Sequence, residues 1–159
     1  MNTQLIDTFI QEYADFKAQF AKKGQERLKE IINEFWAANP AVNVITWTQY
    51  TPYFMDGDPC EFSVNEPTFS NATEEDDISA LGWGEYDGET EGVWAATDWN
   101  VERELKDVEG LNAESIKQFG RFIQSEAMAD VLKTILGEDV KVVVTREGIT
   151  ATDYSSSHD

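Results

Sequence analysis

The sequence predicts an α+β fold, in which an antiparallel sheet of four or more strands carries two long helices on one face. Apolar residues recur every three or four positions in two long stretches, and runs rich in β-branched residues follow each stretch. Glycine-containing turns divide these runs into pairs of strands. The order of helix and hairpin therefore occurs twice, at residues 2–65 and 112–154. We place a single domain at residues 1–154, with an acidic insert at about 66–111.

The first helix is predicted from Asn2 to Asn39, because the residue before Pro40 is pushed out of the helical region. A continuous helix of about 35 residues would be a rod of roughly 50 Å, which exceeds a compact domain of this size. The helix must therefore protrude or break, and Lys22-Lys23-Gly24 is the natural break. Its apolar residues follow the helical period on both sides of this point: Ile6, Phe9, Tyr13, Phe16, Phe20, Leu28, Ile31 and Phe35.

This first helix has two interpretations. It is either a bent helix or helix pair that lies on the domain, or one half of a self-associating pair. In the second case the dimer seam is formed by apolar residues at coiled-coil spacing, namely Ile6, Phe9, Tyr13 and Phe16.

The first hairpin is predicted between residues 42 and 64. The segment Val42–Tyr50 is rich in β-branched and aromatic residues, and Glu61–Val64 is its predicted partner. Asp56-Gly57-Asp58-Pro59 marks the turn between them, and its proline makes the hairpin irregular.

The second helix is predicted from Asn112, its N-cap, to Gly137, which suits a helix C-terminus. The second hairpin follows, with strands at Val140–Thr145 and Ile149–Tyr154. Residues 155–159 are expected to form a disordered tail.

The negative charge is concentrated in the middle of the chain. Residues 1–55 carry six acidic and five basic side chains, residues 56–111 carry seventeen and two, and residues 112–159 carry eight and five, so the net charges are −1, −15 and −3. The total of −19 disfavours direct binding to nucleic acid or anionic lipid and attracts basic partners. Within this block we expect a hairpin from Ala80 to Thr97 and a short helix from Asn100 to Val108.

The acidic block has three interpretations. It is a solvated surface of the kind that salt-adapted proteins carry, although such proteins spread acids over the whole chain and the first block is nearly neutral. It is a patch that mimics nucleic acid and blocks the basic groove of a DNA- or RNA-binding protein. Otherwise it contains a calcium-binding loop, for which no segment has the ligand spacing.

We take the mimic as the working hypothesis, with the protein acting as a protein-binding inhibitor of a host nucleic-acid-binding protein. The predicted partner-binding residues are Glu74, Glu75, Asp76, Asp77, Glu85, Asp87, Glu89, Glu91, Asp98, Glu102, Glu104 and Asp107. Two alternatives stay open. The chain is a non-catalytic assembly module that dimerises through the first helix, or it is a carboxylate enzyme that uses a divalent metal.

Residues that most catalytic sites require are scarce. His158 is the single histidine and lies in the predicted tail, and Cys60 has acidic rather than basic neighbours. No phosphate-binding glycine motif is present. We therefore expect no enzyme, no metal site and no cofactor, with Asp56, Asp58 and Glu61 as the carboxylates that would hold a cation if the enzyme alternative were correct.

The segment Tyr50-Thr51-Pro52-Tyr53-Phe54-Met55-Asp56-Gly57-Asp58-Pro59-Cys60-Glu61-Phe62 resembles a segment of uncharacterised small acidic proteins of tailed bacteriophages. The resemblance includes no catalytic motif. It implies a phage origin and transfers no function. A small, acidic, non-enzymatic protein of such an origin fits an anti-defence or host-takeover role with a partner in the host. The sequence also lacks a signal-peptide pattern and any long apolar run, so we expect it to act in the cytoplasm, without a membrane partner.

Overall fold

The structure, a computed structural model, describes residues 3–52, 60–81 and 90–154. Over these residues the chain forms helices and an antiparallel sheet, which confirms the predicted α+β class. The elements are α1 (Thr3–Ala38), β1 (Val44–Tyr50), β2 (Ser63–Val64), β3 (Thr68–Ser70), α2 (Glu75–Ala80), β4 (Ala95–Ala96), α3 (Ala113–Gln124), α4 (Glu126–Leu136), β5 (Val140–Thr145) and β6 (Gly148–Asp153).

The sheet has the strand order β4-β3-β1-β5-β6, and β2 pairs with the end of β1 beyond β3. Strand β1 is central and almost wholly buried, as its β-branched and aromatic composition predicts. It pairs with β5 from Val44 opposite Thr145 to Gln49 opposite Val140. This pairing joins the two predicted hairpins into one sheet.

Helix α1 is continuous over 36 residues, so the predicted break at Lys22-Lys23-Gly24 is wrong. Gly24 does not end the helix. A Cβ atom built there would lie 3.3 Å from Ile135 Cγ2, so the glycine allows α4 to approach α1 closely. This packing stabilises the helix against the intrinsic cost of glycine, about 1 kcal/mol.

The second predicted helix is two helices, α3 and α4, which meet at Ser125. Ser125 has an extended backbone (ψ 144°), and its hydroxyl group accepts a hydrogen bond from Met128 N. It therefore acts as an N-cap inside an apolar pattern that continues on both sides. The predicted N-cap at Asn112 is confirmed, because its side chain accepts from Ser115 N.

The helices α1, α3 and α4 cover one face of the sheet. The core between them centres on Phe119, whose ring lies 5.3 Å from Phe35, 5.9 Å from Phe69 and 6.3 Å from Trp47, measured between centroids. Tight aromatic contacts of this kind hold the helical layer on the strands.

The opposite face of the sheet is covered by the segment that we expected to be an acidic insert. Val44 of β1 packs there against Ala72 and Leu81, beside Ile78 of α2. The same segment supplies β3, which the sequence did not predict, and β4, which lies within the expected hairpin at Ala80–Thr97 but pairs with β3. It is thus part of the folded domain.

Four local predictions remain. The short helix expected at Asn100–Val108 is wrong, because this segment forms a series of turns in which Asn100 and Leu105 carbonyl groups accept local hydrogen bonds. The turn at Asp56–Pro59 and the tail at 155–159 lie outside the described residues, as do residues 82–89 of the hairpin expected at Ala80–Thr97.

Two buried amides link the helices to the sheet and to each other. Asn39, at the end of α1, donates to Ser115 Oγ and accepts from Asn112 N, so it ties α1 to the start of α3. Gln49 of β1 donates to the carbonyl oxygens of Leu132 and Gly137 and thereby fixes the end of α4. These bonds set the direction in which α1 leaves the domain.

Candidate functional site

The domain carries an acidic surface built by α2, by the β3–β4 edge of the sheet and by the turns before α3. We define this acidic surface by the exposed carboxylates of the described residues: Glu66, Glu74, Glu75, Asp76, Glu91, Asp98, Glu102, Glu104, Asp107 and Glu109. Helix α2 packs on the opposite face of the sheet through Ile78, whereas the turns before α3 pack on the helical side through Val101 and Leu105. Strands β3 and β4 pair at the sheet edge between them, so the acidic surface includes both sides of this edge.

Few basic side chains neutralise this surface. Within residues 60–81 and 90–111, Glu102 is the acid that forms an ion pair, with Oε1 2.7 Å from Lys117 Nζ of α3. Arg103 instead lies over the ring of Trp99, 5.3 Å from its centroid. Most carboxylates of the acidic surface are thus free to attract an external cation or a basic protein.

The predicted partner-binding residues do not all belong to this surface. Asp77 is largely buried, and its Oδ1 accepts a hydrogen bond of 2.6 Å from Thr90 Oγ1, so it supports the fold. Glu85, Asp87 and Glu89 lie outside the described residues. The remaining eight predicted residues are exposed on it.

Glu66 and Asp98 form a carboxyl pair that sequence reasoning missed. They are far apart in sequence, but β3 and β4 pair antiparallel and bring them together. Partial burial of the carboxyl group, a hydrogen bond with Asp98 and repulsion between the two carboxylates raise the pKa of Glu66 to about 7. Burial, with the neighbouring Asp98 as the further cause, therefore lets the Glu66 carboxyl group hold its proton near neutral pH.

This pair predicts a pH-dependent stability. The pKa of Glu66 is raised from 4.5 to about 7, so its stabilising effect is complete below pH 4.5 and is lost as the pH rises to about 7. Because Glu66 is exposed, solvent screening limits the effect to about 1 kcal/mol. Glu66→Gln should therefore flatten the fall in melting temperature between pH 5 and 7.5, whereas Glu126→Gln on α4 should leave it unchanged. An unchanged profile in Glu66→Gln would show that the pair does not share a proton.

Trp99 is the second feature that the sequence did not reveal. The other tryptophan of this segment in the described residues, Trp94, packs against the core, but Trp99 is 58% exposed. Exposed tryptophan is enriched at the centres of protein interfaces and is rare on free surfaces. The acidic surface therefore includes an aromatic anchor as well as charge.

The carboxylates considered for metal binding do not form a cluster in the described part of the chain. Asp56 and Asp58 lie outside it, whereas Glu61 and Cys60 are exposed. Across residues 3–52, 60–81 and 90–154, no three histidine, cysteine or acidic side chains converge as metal ligands would. Over the same residues, no helix is sufficiently long and apolar to cross a membrane.

A groove of about 670 Å³ lies between α1 and the β5–β6 hairpin. Its one stacked cation, Arg146, lies 4.8 Å from the centroid of the Trp36 ring and donates to the carbonyl oxygens of residues 39, 40 and 42. The guanidinium group therefore closes the C-terminal end of α1, and it is already engaged by the fold.

The first half of α1 is the second candidate surface. We call residues 3–20 the α1 arm; every one of them is exposed. The arm carries seven large apolar side chains, 40% to 71% exposed: Leu5, Ile6, Phe9, Ile10, Tyr13, Phe16 and Phe20. The predicted seam residues thus lie on a helix that extends beyond the domain.

Comparison with known proteins gives no match to a protein-family model, to a curated protein or to a solved structure.

Proposed function

We propose that the protein is a non-catalytic binding protein whose acidic surface occupies the nucleic-acid groove of a basic partner protein. The observation that carries this proposal is the exposure of ten carboxylates on α2, on the β3–β4 edge and on the turns before α3, with a single ion pair among them in the described residues. A charge density that exceeds what solubility needs costs stability through self-repulsion. A basic partner relieves that repulsion when it binds.

The electrostatics of such a complex follow those of nucleic acid. A basic groove attracts the acidic surface over about 8–10 Å at moderate ionic strength, which accelerates encounter and makes binding sensitive to salt. When the carboxylates of the acidic surface bind, the groove releases its counterions, just as it does when it binds the phosphates of nucleic acid. Trp99 adds an apolar contact that does not depend on salt. This contact favours a basic protein over other positively charged ligands.

The resemblance of Tyr50–Phe62 to phage proteins makes a host protein the proposed target. A phage gains from blocking host proteins that bind nucleic acid, such as restriction enzymes, CRISPR effectors, nucleoid proteins or polymerases. The chemistry of the surface selects the class, a basic protein with a groove for nucleic acid, and the partner is proposed at that level.

The test uses immobilised protein and a bacterial lysate that has been treated with nuclease. We expect capture of basic nucleic-acid-binding proteins that are released by added duplex DNA and by rising salt. The surface variant replaces six exposed acids with lysine, which changes the net charge from −19 to −7: Glu74, Glu75, Asp76, Glu91, Glu104 and Asp107. It should capture none of these proteins.

The matched control makes the same change of charge elsewhere. It replaces six exposed acids outside the acidic surface with lysine: Glu26, Glu114, Glu126, Asp130, Glu147 and Asp153. Both sets include acids from the first turn of a helix, so their costs in helix stability are similar. The control should retain DNA-sensitive capture. Equal loss in both variants, or capture that DNA does not compete with, would refute the proposal.

A further inference from the structure

The α1 arm exposes more apolar surface than a monomeric protein normally leaves in water. At roughly 200 Å² for a large side chain, the exposed fractions of its seven apolar residues correspond to roughly 800 Å². Monomers seldom expose contiguous patches of more than a few hundred Å². A standard interface buries about 800 Å² per partner, so the arm has the area that a stable pair requires.

The apolar residues of the arm follow a heptad repeat. With Ile6 at position a, all seven fall at the a, d, e and g positions that face a partner helix. The solvent positions b, c and f hold the polar or small residues Asp7, Thr8, Gln11, Ala14, Asp15 and Ala18. The repeat ends after Phe20, because Lys23 and Arg27 occupy the next d and a positions. The seam is thus confined to the part of α1 that leaves the domain.

We infer that the partner of the arm is the arm of a second copy, paired in parallel and in register as a short two-stranded coiled coil. The charges at the edge of the seam support this orientation. Glu12 lies at position g and Lys17 at the following e position, five residues later. In a parallel, in-register pair, g of one helix meets the next e of the other, so Glu12 pairs with Lys17 of the second copy on both sides.

The position of the domain relative to the seam is compatible with this pair. Leu28, Ile32 and Phe35 mark the face of α1 that is buried against the domain. At 100° per residue, the centre of that face is about a quarter turn away from the centre of the seam. Two-fold symmetry then places the two domains on opposite sides of the helix pair, where they do not obstruct each other.

A membrane surface fits the arm less well than a second copy. Helices that lie on membranes carry lysine and arginine on the polar face. The polar face of the arm carries Asp7 and Asp15 instead, and the whole protein has a net charge of −19. Anionic headgroups would repel the two aspartates and the negatively charged protein as a whole.

The inference goes beyond the proposed function and does not depend on it. If both hold, each dimer presents two acidic surfaces, and a partner with two basic grooves is bound more tightly through effective concentration.

The first experiment measures mass by sedimentation equilibrium. We expect the wild-type protein to sediment as a dimer, twice 18.0 kDa. Phe9→Glu with Phe16→Glu removes two seam aromatics and should raise the dissociation constant by at least about 100-fold. The control is Ala14→Glu with Ala18→Glu, which adds the same charge on the solvent face and should leave the dimer intact. A wild-type monomer at 100 μM, or a dimer that survives the seam substitutions, would overturn the inference, as would a monomer that binds phosphatidylcholine vesicles through the arm.

The second experiment tests orientation. In a Cys60→Ser background, Ile6→Cys brings two cysteines together only if the arms are parallel, so oxidation should cross-link the dimer in high yield. Glu12→Lys should weaken the dimer, and Glu12→Lys with Lys17→Glu should restore it because the pair is exchanged. A dimer that neither cross-links at position 6 nor recovers in the exchange variant would refute the parallel pair but leave the acidic-surface proposal unaffected.

Discussion

Replacement of Phe119 by alanine is expected to lower the free energy of unfolding by about 4 kcal/mol. Phe119 is 4% exposed and contacts the rings of Phe35, Trp47 and Phe69, which belong to α1, β1 and β3. Truncation leaves a cavity between the helical layer and the sheet, and relaxation cannot close it from three sides at once. For a chain of this size the melting temperature should fall by about 12 °C.

Urea denaturation followed by tryptophan fluorescence measures this change. Phe122→Ala is the matched control, because it lies on the same helix and is only partly buried. It should cost clearly less, about 2 kcal/mol. Equal losses in the two variants would mean that Phe119 is not the centre of the core. All variants must be compared at one protein concentration, because the proposed dimerisation through the arm would make stability depend on concentration.

The elements that the sequence predicted are those whose pattern is local and long. The amphipathic period of α1 spans ten turns, and the β-branched runs of β1, β5 and β6 extend over six or seven residues. Residues 3–20 of α1 and most of β6 are exposed, yet both segments form the predicted element, so their secondary structure is encoded in their own residues.

The elements that it missed depend on tertiary neighbours. β3 has three residues, too few for any period, and it is a strand because β1 provides its ladder. β4 lies within the expected hairpin at Ala80–Thr97, but its pairing with β3 could not be predicted. Ser125 lies within an apolar repeat that continues through it. Gly24 was interpreted as a break because its contact with Ile135, which lies on α4, leaves no trace near it in the sequence.

The two candidate surfaces also combine features that the sequence encodes with features that depend on tertiary contacts. The segregation of charge and the heptad of the arm are properties of the sequence and could be predicted from it. Which carboxylates face solvent could not, since the burial of Asp77 depends on Thr90 and the pKa of Glu66 depends on Asp98. The protrusion of the arm could not be decided either, because the same apolar stripe would suit a helix that lies on the domain.

Gln49 is expected to be the most important polar residue of the core, and Gln49→Leu should lower the free energy of unfolding by about 3 kcal/mol. Its side chain is fully buried, accepts from Trp47 Nε1 and donates to the carbonyl oxygens of Leu132 and Gly137 at 3.0 and 2.7 Å. Leucine fills the space but leaves the indole N–H group of Trp47 and the carbonyl group of Gly137 without these partners. Each unsatisfied group costs about 1–3 kcal/mol.

Gln49→Glu separates hydrogen bonding from packing. Glutamate has the same shape, but its ionised carboxylate repels both carbonyl groups, whereas the protonated form can donate to one of them. We therefore expect the free energy of unfolding at pH 7 to fall at least as much as in Gln49→Leu. At pH 4 part of this loss should be recovered, because the folded state accommodates the protonated carboxyl group better than the ionised one. Gln118→Leu, at an exposed position of α3, should change stability by less than about 0.5 kcal/mol. A loss below about 1 kcal/mol for Gln49→Leu, or no pH dependence for Gln49→Glu, would show that packing alone holds α4 on the sheet.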